Sequence, residues 1–312
     1  MKIAAAQIRP KWLDKQGTIA IVIETIAQAS ALGIDLVAFP EAFVSGYPFW
    51  LCRTDGAAFD NPRQGEAYAQ FLEASIEADS AELHRVVEAA RDYGVSVYLG
   101  MNERGRTNGR GTLHCALAAI DAKAGLLGIH RKLMPTHDER LCWGLGDAHD
   151  LKSHEIGGFR VGGLCCWENW MPLARFALYA GGEDLHISVW PGNAVVAEAI
   201  VETVAREGRV WSLSVHGLLS MDDVPDDFVF KQDLVAAGYD TIFRGGSSLV
   251  DPSGKVVIPP AIGAEGLISF DIDHATIARQ RQAFDVSGHY HRPDVFQLTI
   301  DGSRFDGSSL WT

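Results

Sequence analysis

Apolar residues occur along the chain in two patterns, short continuous runs and longer stretches with helical spacing. A continuous run of about 4–8 residues is typical of a buried strand, and apolar residues three or four apart are typical of a helix. The first 40 residues predict a strand at 3–8, a helix at 18–32 that ends before Gly33, and a strand at 34–39. These elements form a strand-helix-strand unit.

The same order recurs in the second half. An apolar strand reaches Cys165, Pro172 opens a helix, and strand 185–189, helix 195–207 and strand 210–213 follow. Strands at 95–100, 112–121 and 126–133 precede this unit, the last two joined by a tight turn at 122–125, and strands at 247–250, 255–258 and 266–272 come after it. The pattern predicts an α/β fold whose helices lie outside layered sheets.

Three stretches have no clear periodicity. Residues 42–65 are predicted to form a long loop, followed by helical patterning over 66–93 that breaks near Asp79. Asn108-Gly109 predicts a turn, and residues 219–245 are acidic and irregular, which is typical of a surface excursion. Long ordered loops are often functional or interfacial, so 54–65 and 222–242 are candidate partner surfaces, with plain surface loops as the alternative.

Composition narrows the possible functions. The 312 residues are 47% hydrophobic, enough to bury one large core, and we expect one domain. The net charge is −13 and no basic run interrupts it, which argues against a nucleic-acid partner. The N-terminus lacks the apolar length of a signal peptide, and no stretch approaches the ~20 apolar residues that span a bilayer. We therefore expect a soluble, cytoplasmic protein.

The five cysteines indicate reduced thiols. Their number is odd and no CxxC pair occurs, which fits a cytosolic protein better than a disulfide framework. Cys165 and Cys166 are adjacent on a predicted strand, so their side chains should point to opposite faces and cannot easily share one ion. We therefore do not expect a metal site at these cysteines.

Polar residues at the ends of apolar strands suggest a catalytic site. Glu41 follows one strand, Lys132 ends another with Glu139 shortly after it, and Cys166 ends a third. A cation near the thiol favours the thiolate, and a carboxylate can take its proton, which outlines a covalent hydrolase. Each residue alone also has a structural explanation: a surface carboxylate, a solvated lysine, a small buried cysteine.

The motifs around these residues resemble those of the nitrilase superfamily. They are Phe39-Pro40-Glu41-Ala42-Phe43, then His130-Arg131-Lys132-Leu133-Met134-Pro135-Thr136 with Glu139-Arg140, then Cys166-Trp167-Glu168-Asn169 with Met171-Pro172. Trp143-Gly144 and Gly288-His289-Tyr290 make the similarity greatest to the true nitrilase branch. The resemblance covers residues 2 to 296. It departs from the usual pattern in the doubled cysteine and in Ala148, which follows Asp147 where glycine is common.

The resemblance implies a layered α-β-β-α sandwich and hydrolysis of carbon-nitrogen bonds without a cofactor. It implies Glu41 as general base, Lys132 as the group that stabilises developing charge, Cys166 as nucleophile and Glu139 as a second carboxylate that orders the site. It further implies a single domain at 1–296 with a tail at 297–312, and a homo-oligomer assembled through helices that flank the cysteine.

The implied substrate is a small organic nitrile, which presents mainly apolar surface. Tyr47, Trp143, Trp167 and Trp190 are candidates to line its pocket, and core packing is at least as good an explanation for Trp143 and Trp190. His137 and His186 are ambiguous between packing and catalysis, and a histidine would be the obvious rival base, because a Cys-His pair is a common way to activate a thiol.

Three other functions are consistent with the same residues. An amidase or carbamoylase would share the glutamate, lysine and cysteine, and a nitrile-hydrating or cyanide-hydrating relative would release amide instead of acid. A binding or assembly protein could retain the site without turnover.

Overall fold

A computed structural model of the chain describes residues 1–106, 109–192 and 194–305. The predicted turn at Asn108 and the last part of the predicted tail, 306–312, lie outside the described residues. No helix in the described part of the chain is long and apolar enough to cross a membrane.

The strands of the first half all belong to one sheet with the last strand of the chain, and those of the second half form a second sheet and a small ribbon. Their bounds are β1 Lys2–Gln7, β2 Leu36–Ala38, β3 Ser96–Arg104, β4 Leu113–Asp121, β5 Gly125–Arg131, β6 His154–Ile156, β7 Phe159–Cys165, β8 Leu185–Trp190, β9 Trp211–His216, β10 Leu218–Ser220, β11 Thr241–Arg244, β12 Ser248–Val250, β13 Val256–Ile258 and β14 Gly266–Asp271.

The α-helices are α1 Lys15–Ala31, α2 Pro62–Ala74, α3 Ala81–Tyr93, α4 Pro172–Ala180, α5 Ala194–Gly208, α6 Lys231–Ala236 and α7 His274–Arg281. Short 3₁₀ helices occur at Leu51–Arg53, His137–Leu141, Cys166–Trp170 and Met221–Asp223.

Two six-stranded sheets face each other, with the orders β14-β1-β2-β3-β4-β5 and β13-β12-β9-β8-β7-β6. Parallel pairing of β1, β2 and β3 in one sheet and of β7, β8 and β9 in the other forms the centre of each. Helices α1 and α3 cover the outer face of the first sheet, and α4 and α5 cover that of the second. The order of layers is α-β-β-α, which confirms the predicted fold class.

The largest apolar cluster lies between the two sheets. There the hydroxyl of Tyr98 on β3 donates to the carbonyl of Val161 on β7 at 2.7 Å, so a buried polar tip finds its partner across the layers. A Cβ on Gly163 would lie 2.7 Å from a methyl carbon of Leu117, which shows how closely β7 and β4 approach. The close contact fixes the position of the strand that carries the two cysteines.

Two predictions about the irregular stretches need correction. A helix begins at Pro62, inside the predicted loop, because Asn61 caps it through Arg63 N at 2.9 Å and proline suits the first helical turn. It ends at Ala74, and Ser80 caps the separate helix α3, so the predicted break at this point is confirmed.

The stretch 219–245 is less irregular than predicted. It contains the ribbon β10-β11 and helix α6, and although its composition is acidic, its apolar side chains at 219, 221, 224, 228, 230 and 234 are buried. Phe228 packs edge-on against Trp12 at 4.8 Å between ring centroids and Trp50 at 5.7 Å. Aromatic side chains attach this segment to the rest of the protein. They follow no regular spacing and lie among aspartates, so periodicity did not reveal them.

Candidate active site

Cys166 lies at the point where β7 ends and a 3₁₀ helix begins. Its φ is 50°, in the left-handed region that residues other than glycine rarely adopt, so the backbone turns sharply at this residue. Cys165 is the last residue of β7, is fully buried and belongs to the core between the sheets. The turn therefore directs two neighbouring thiols into different surroundings.

Glu41 is placed by a turn that lies against β3. The next residue, Ala42, has φ 51°, and Val44 N donates to Gly100 O at 3.1 Å. A Cβ on Gly100 would lie 1.9 Å from Pro40 O, so only glycine fits beneath this turn. The side chain of Glu41 is fully buried and points into the sandwich.

Lys132 joins the two carboxylates. Its Nζ donates to Glu41 Oε1 at 2.8 Å and to Glu139 Oε2 at 2.6 Å, and the side chains of the lysine and of Glu41 have no exposed surface. Its backbone is held where β5 ends, since Lys132 N donates to Cys115 O at 2.8 Å and Gly146 N donates to Lys132 O at 2.9 Å. The loop around Gly146 thus keeps the lysine in place although Ala148 departs from the family pattern.

The thiol lies beside both acids. One carboxylate oxygen of Glu41, one of Glu139 and Sγ of Cys166 all lie within 4.8 Å of one another. Oε1 of Glu41 also accepts from the thiol of Cys115 at 3.4 Å, whereas Oε2 of Glu41 is buried with no hydrogen-bond partner in the described part of the chain. The structure therefore brings Glu41, Lys132, Glu139 and Cys166 together and leaves one carboxylate oxygen open.

Burial dominates the acid-base properties of this cluster. It raises the pKa of Glu41 to about 7, an effect that Lys132 opposes and Glu139 reinforces. Burial and the charge of Glu41 also raise the pKa of Cys166 well above its usual value, against Lys132 and the backbone N–H of Trp167. Burial works to lower the pKa of Lys132, but the surrounding acids and thiols outweigh it and raise that pKa. The lysine is a fixed cation, and the thiol carries its proton until a base removes it.

A cavity of about 270 Å³ opens onto this cluster. Tyr47, Trp167 and Trp190 contribute to its wall together with Cys166 and Glu139. Tyr47 is also tied to the acids, because its hydroxyl donates to Glu139 Oε1 at 2.8 Å. Trp167 is 46% exposed and Trp190 only 1%, so the first reaches solvent at the mouth and the second closes the interior.

Trp143 does not line this cavity. It is buried beneath Lys132, whose Nζ lies 5.5 Å from the ring centroid, and its indole N–H donates to Asn102 Oδ1 at 2.8 Å. Its role in the structure is to support the lysine from below.

Glu168 is a site residue that the sequence named only as part of a motif. Its carboxylate contacts His130 Nε2 at 3.0 Å and accepts from Leu133 N at 2.8 Å and Cys165 N at 3.0 Å. These bonds join the end of the lysine strand to the cysteine turn. Burial works to raise the pKa of Glu168, but His130 and the backbone donors outweigh it and lower that pKa.

Asn169 holds the cysteine turn from the other side. Its Nδ2 donates to Cys166 O at 2.8 Å, and its Oδ1 lies 2.8 Å from His186 Nε2 and accepts from Ser188 at 2.9 Å. His186 Nδ1 is in turn 2.9 Å from Glu183 Oε1, and all these side chains are buried. A buried carboxylate-imidazole-amide chain thus supports the strained residue, a structural role for one of the two histidines that were ambiguous in the sequence.

The other histidine, His137, points away. Its side chain is 91% exposed and lies 3.4 Å from Asp138. The groups that lie next to the thiol include the carboxylates of Glu41 and Glu139.

Within the residues that the structure describes, two groups of side chains have the spacing of metal ligands. Glu41, Cys115 and Cys165 form one, and Glu41, Glu139 and Cys166 form the other, each with ligand atoms within 4.8 Å. Cys165 and Cys166 fall in different groups, in keeping with their opposite directions. In the second group the ammonium of Lys132 already supplies the positive charge that the carboxylates attract.

The four-layer fold is shared with solved proteins of low sequence identity. The crystal structure of Saccharomyces cerevisiae Nit3, a member of branch 10 of the nitrilase superfamily, superimposes with a TM-score of 0.72 at 17% identity, covering 94% of this chain and 97% of that one. The class of fold is that of the nitrilase superfamily.

Sequence comparison identifies the family. The carbon-nitrogen hydrolase profile matches residues 2–282. An aliphatic nitrilase from Sinorhizobium fredii is 35% identical over 310 residues, covering 96% of this chain and 95% of the relative. A nitrilase from Bradyrhizobium diazoefficiens is 35% identical over 276 residues, covering 88% and 84%. The chain belongs to the carbon-nitrogen hydrolase family.

Proposed function

We propose that the protein is a nitrilase, which hydrolyses an organic nitrile to the carboxylic acid and ammonia. The observation that carries this proposal is the gathering of a thiol, two carboxylates and an ammonium at one cavity, with ligand atoms of Glu41, Glu139 and Cys166 within 4.8 Å. The two relatives named above are nitrilases, and each aligns with most of this chain, which supports the same activity.

The first step joins the substrate to Cys166. The thiol sulfur adds to the nitrile carbon, its proton passes to Glu41, and that proton moves on to the nitrile nitrogen to give a thioimidate. Because the pKa of Glu41 is raised to about 7, its carboxylate is basic enough to accept the proton and its acid form can return it near neutral pH. The open oxygen Oε2 is the acceptor in this proposal.

Charge that develops on the nitrogen needs a donor. The ammonium of Lys132 is fixed between Glu41 and Glu139, and the backbone N–H of Trp167 lies beside the sulfur. Donors held in place before the reaction stabilise such charge without reorganisation.

Two water molecules complete the reaction. Glu41 takes a proton from the first water as the water oxygen adds to the thioimidate carbon, and it passes that proton to the nitrogen, which gives a tetrahedral carbon bearing a hydroxyl and an amino group. The hydroxyl proton then passes through Glu41 to the nitrogen as the carbon-nitrogen bond breaks, which releases ammonia and leaves a thioester. The second water attacks the resulting thioester, releasing the acid and restoring the thiol. In this scheme Glu139 orders the lysine, since it accepts from Lys132 Nζ, Tyr47 and Thr136 N.

The test is a nitrile panel scored for ammonia, acid and amide, run on the wild type and on Cys166→Ala. We expect ammonia and acid from the wild type and a loss of more than about 10⁴-fold in kcat for the variant, because the covalent step is gone. Amide as the main product would favour a hydrating enzyme, and turnover of the amide but not of the nitrile would favour an amidase.

We further propose one catalytic domain at 1–296 with a tail at 297–312, acting in the cytoplasm as a homo-oligomer. Five free thiols fit a reducing compartment. Trp167, Trp170 and Leu173 expose 46%, 40% and 65% of their surface on consecutive turns after the cysteine, an apolar patch suited to a second copy. Light scattering on the wild type and Leu173→Glu tests the assembly, and an unchanged mass would refute this surface.

A further inference from the structure

The wall of the active-site cavity carries a cation that the proposed reaction does not use. Arg53 lines the cavity together with Cys166, and it is the only lysine or arginine among the described lining residues. It ends the 3₁₀ helix Leu51–Arg53, which packs against the 3₁₀ helix that carries Glu139. An arginine therefore forms part of the wall of the space that the substrate must occupy.

The guanidinium is held in a defined position. Its Nη1 donates to Phe49 O at 2.9 Å, and its carbon lies 5.5 Å from the ring centroid of Phe49 and 5.0 Å from that of Tyr239. Contact with two aromatic rings restricts both the place and the plane of the fork. Such a group recognises a ligand at a lower cost in conformational entropy than a mobile side chain would.

Among the described residues, no carboxylate forms an ion pair with Arg53. Within residues 1–106, 109–192 and 194–305, no carboxylate oxygen lies within 4.0 Å of its guanidinium nitrogens, and only Nη1 makes a hydrogen bond. Asp138 lies on the same wall, but its Oδ1 is 3.4 Å from His137 Nδ1 and makes no ion pair with Arg53. Donors of Arg53 therefore remain for a ligand.

We propose that Arg53 binds a carboxylate on the substrate, so that the preferred nitriles are short ω-cyano carboxylates. This inference rests on the proposed nitrile hydrolysis. Two parallel N–H···O bonds from a guanidinium fork fit a carboxylate better than any neutral group. The cavity of about 270 Å³ admits a short chain between the two ends, below the range of about 300–1,000 Å³ that suits drug-sized ligands.

The experiment compares kcat/KM for ω-cyanobutanoate with that for hexanenitrile, its neutral counterpart of similar length, in the wild type, Arg53→Met and Arg53→Lys. We expect the wild type to prefer the cyano carboxylate. The ratio of the two kcat/KM values should fall about ten- to a hundred-fold in Arg53→Met, mainly through KM, and less in Arg53→Lys, which keeps the charge without the fork.

Asp138→Asn is the matched control on the same wall. Removing that negative charge should raise the ratio, whereas a fall as large as that in Arg53→Met would overturn the proposal. A wild-type preference for ω-aminopentanenitrile, or equal losses on both substrates in Arg53→Met, would also overturn it. If the wild type released ammonia from no nitrile, the proposed function itself would fail, so the two failures are distinguishable.

Discussion

Glu41 and Glu168 are both fully buried carboxylates next to a basic side chain, yet burial has opposite outcomes for them. The pKa of Glu41 is raised to about 7, and that of Glu168 is lowered. Glu168 has partners on both oxygens, including two backbone N–H groups. Glu41 receives Lys132 and Cys115 on one oxygen only, and a second acid, Glu139, shares its lysine.

The difference separates a reactive acid from a structural one. A carboxylate whose hydrogen bonds are complete is a poor base, because each bond stabilises the charged form. A carboxylate with a buried open oxygen remains basic and can take a proton. Glu168 fixes the loops that carry Lys132 and Cys166. Glu41 is available to accept the proton of the Cys166 thiol.

The largest effect expected from breaking this contrast is on the rate. Glu41→Gln keeps the shape but removes the base, and we expect kcat to fall about 10²–10⁴-fold, the usual contribution of general base catalysis. Steady-state ammonia release measures it. His137→Asn is the control, because that histidine is 91% exposed and should affect kcat by less than about threefold. A loss confined to the His137 variant would assign the base to the imidazole.

Glu168→Gln should affect stability before chemistry. Removing one partner of a buried ion pair typically costs about 3–5 kcal/mol, and urea unfolding measures this loss in the free energy of unfolding. Glu73→Gln is the control, since the Glu73 side chain is 82% exposed and a surface change is usually worth less than about 0.5 kcal/mol. Equal stability of the two variants would contradict the structural role of Glu168.

The same pair predicts a pH window. Because the pKa of Glu168 is lowered in the folded protein, this carboxylate stabilises the fold above a pH of about 4.5. That stability is lost as the pH falls through the pKa of Glu168 in the folded protein. Burial works to lower the pKa of His130, but Glu168 outweighs burial and raises that pKa. His130 therefore stabilises the fold below a pH of about 6.5, and this stability is lost as the pH rises through the pKa of His130 in the folded protein. The difference in stability between wild type and Glu168→Gln should therefore be greatest between these values.

Cys115→Ala should produce the smallest effect. The thiol donates to Glu41 Oε1, so its removal should raise the pKa of Glu41 further and move the acidic limb of the kcat/KM profile to higher pH by less than about one unit. Cys142→Ala is the matched control, since that buried thiol donates to a backbone carbonyl instead. A shift to lower pH in Cys115→Ala would contradict the assigned hydrogen bond.

Periodicity was sufficient for the layers but not for the connections. Continuous apolar runs predicted the central strands, because strands buried on both faces consist almost entirely of apolar residues. The start of the helix at Pro62 and the ribbon at 218–244 escaped prediction, since a cap and a few aromatic side chains define them more than a repeating pattern does.

For the site, the sequence named Glu41, Lys132, Glu139 and Cys166 through their motifs, and the structure brings them into one cluster. Glu139 and Cys166 of this cluster line the cavity. Their proximity depends on pairing across distant segments, which spacing alone does not encode. Glu168 and Arg53 were not singled out, because a buried acid and an unpaired cation are recognised only by their neighbours. The glutamate and the asparagine of the motif Cys166-Trp167-Glu168-Asn169 were the available signal for Glu168.

The most direct test of the account is the pH dependence of covalent adduct formation on Cys166 under single-turnover conditions, followed by mass spectrometry of quenched protein. The account predicts that the adduct forms at residue 166 with a rate that rises through pH of about 7 as Glu41 ionises, and that Glu41→Gln abolishes this rise. An adduct on another cysteine, or the same pH dependence in Glu41→Gln, would contradict it.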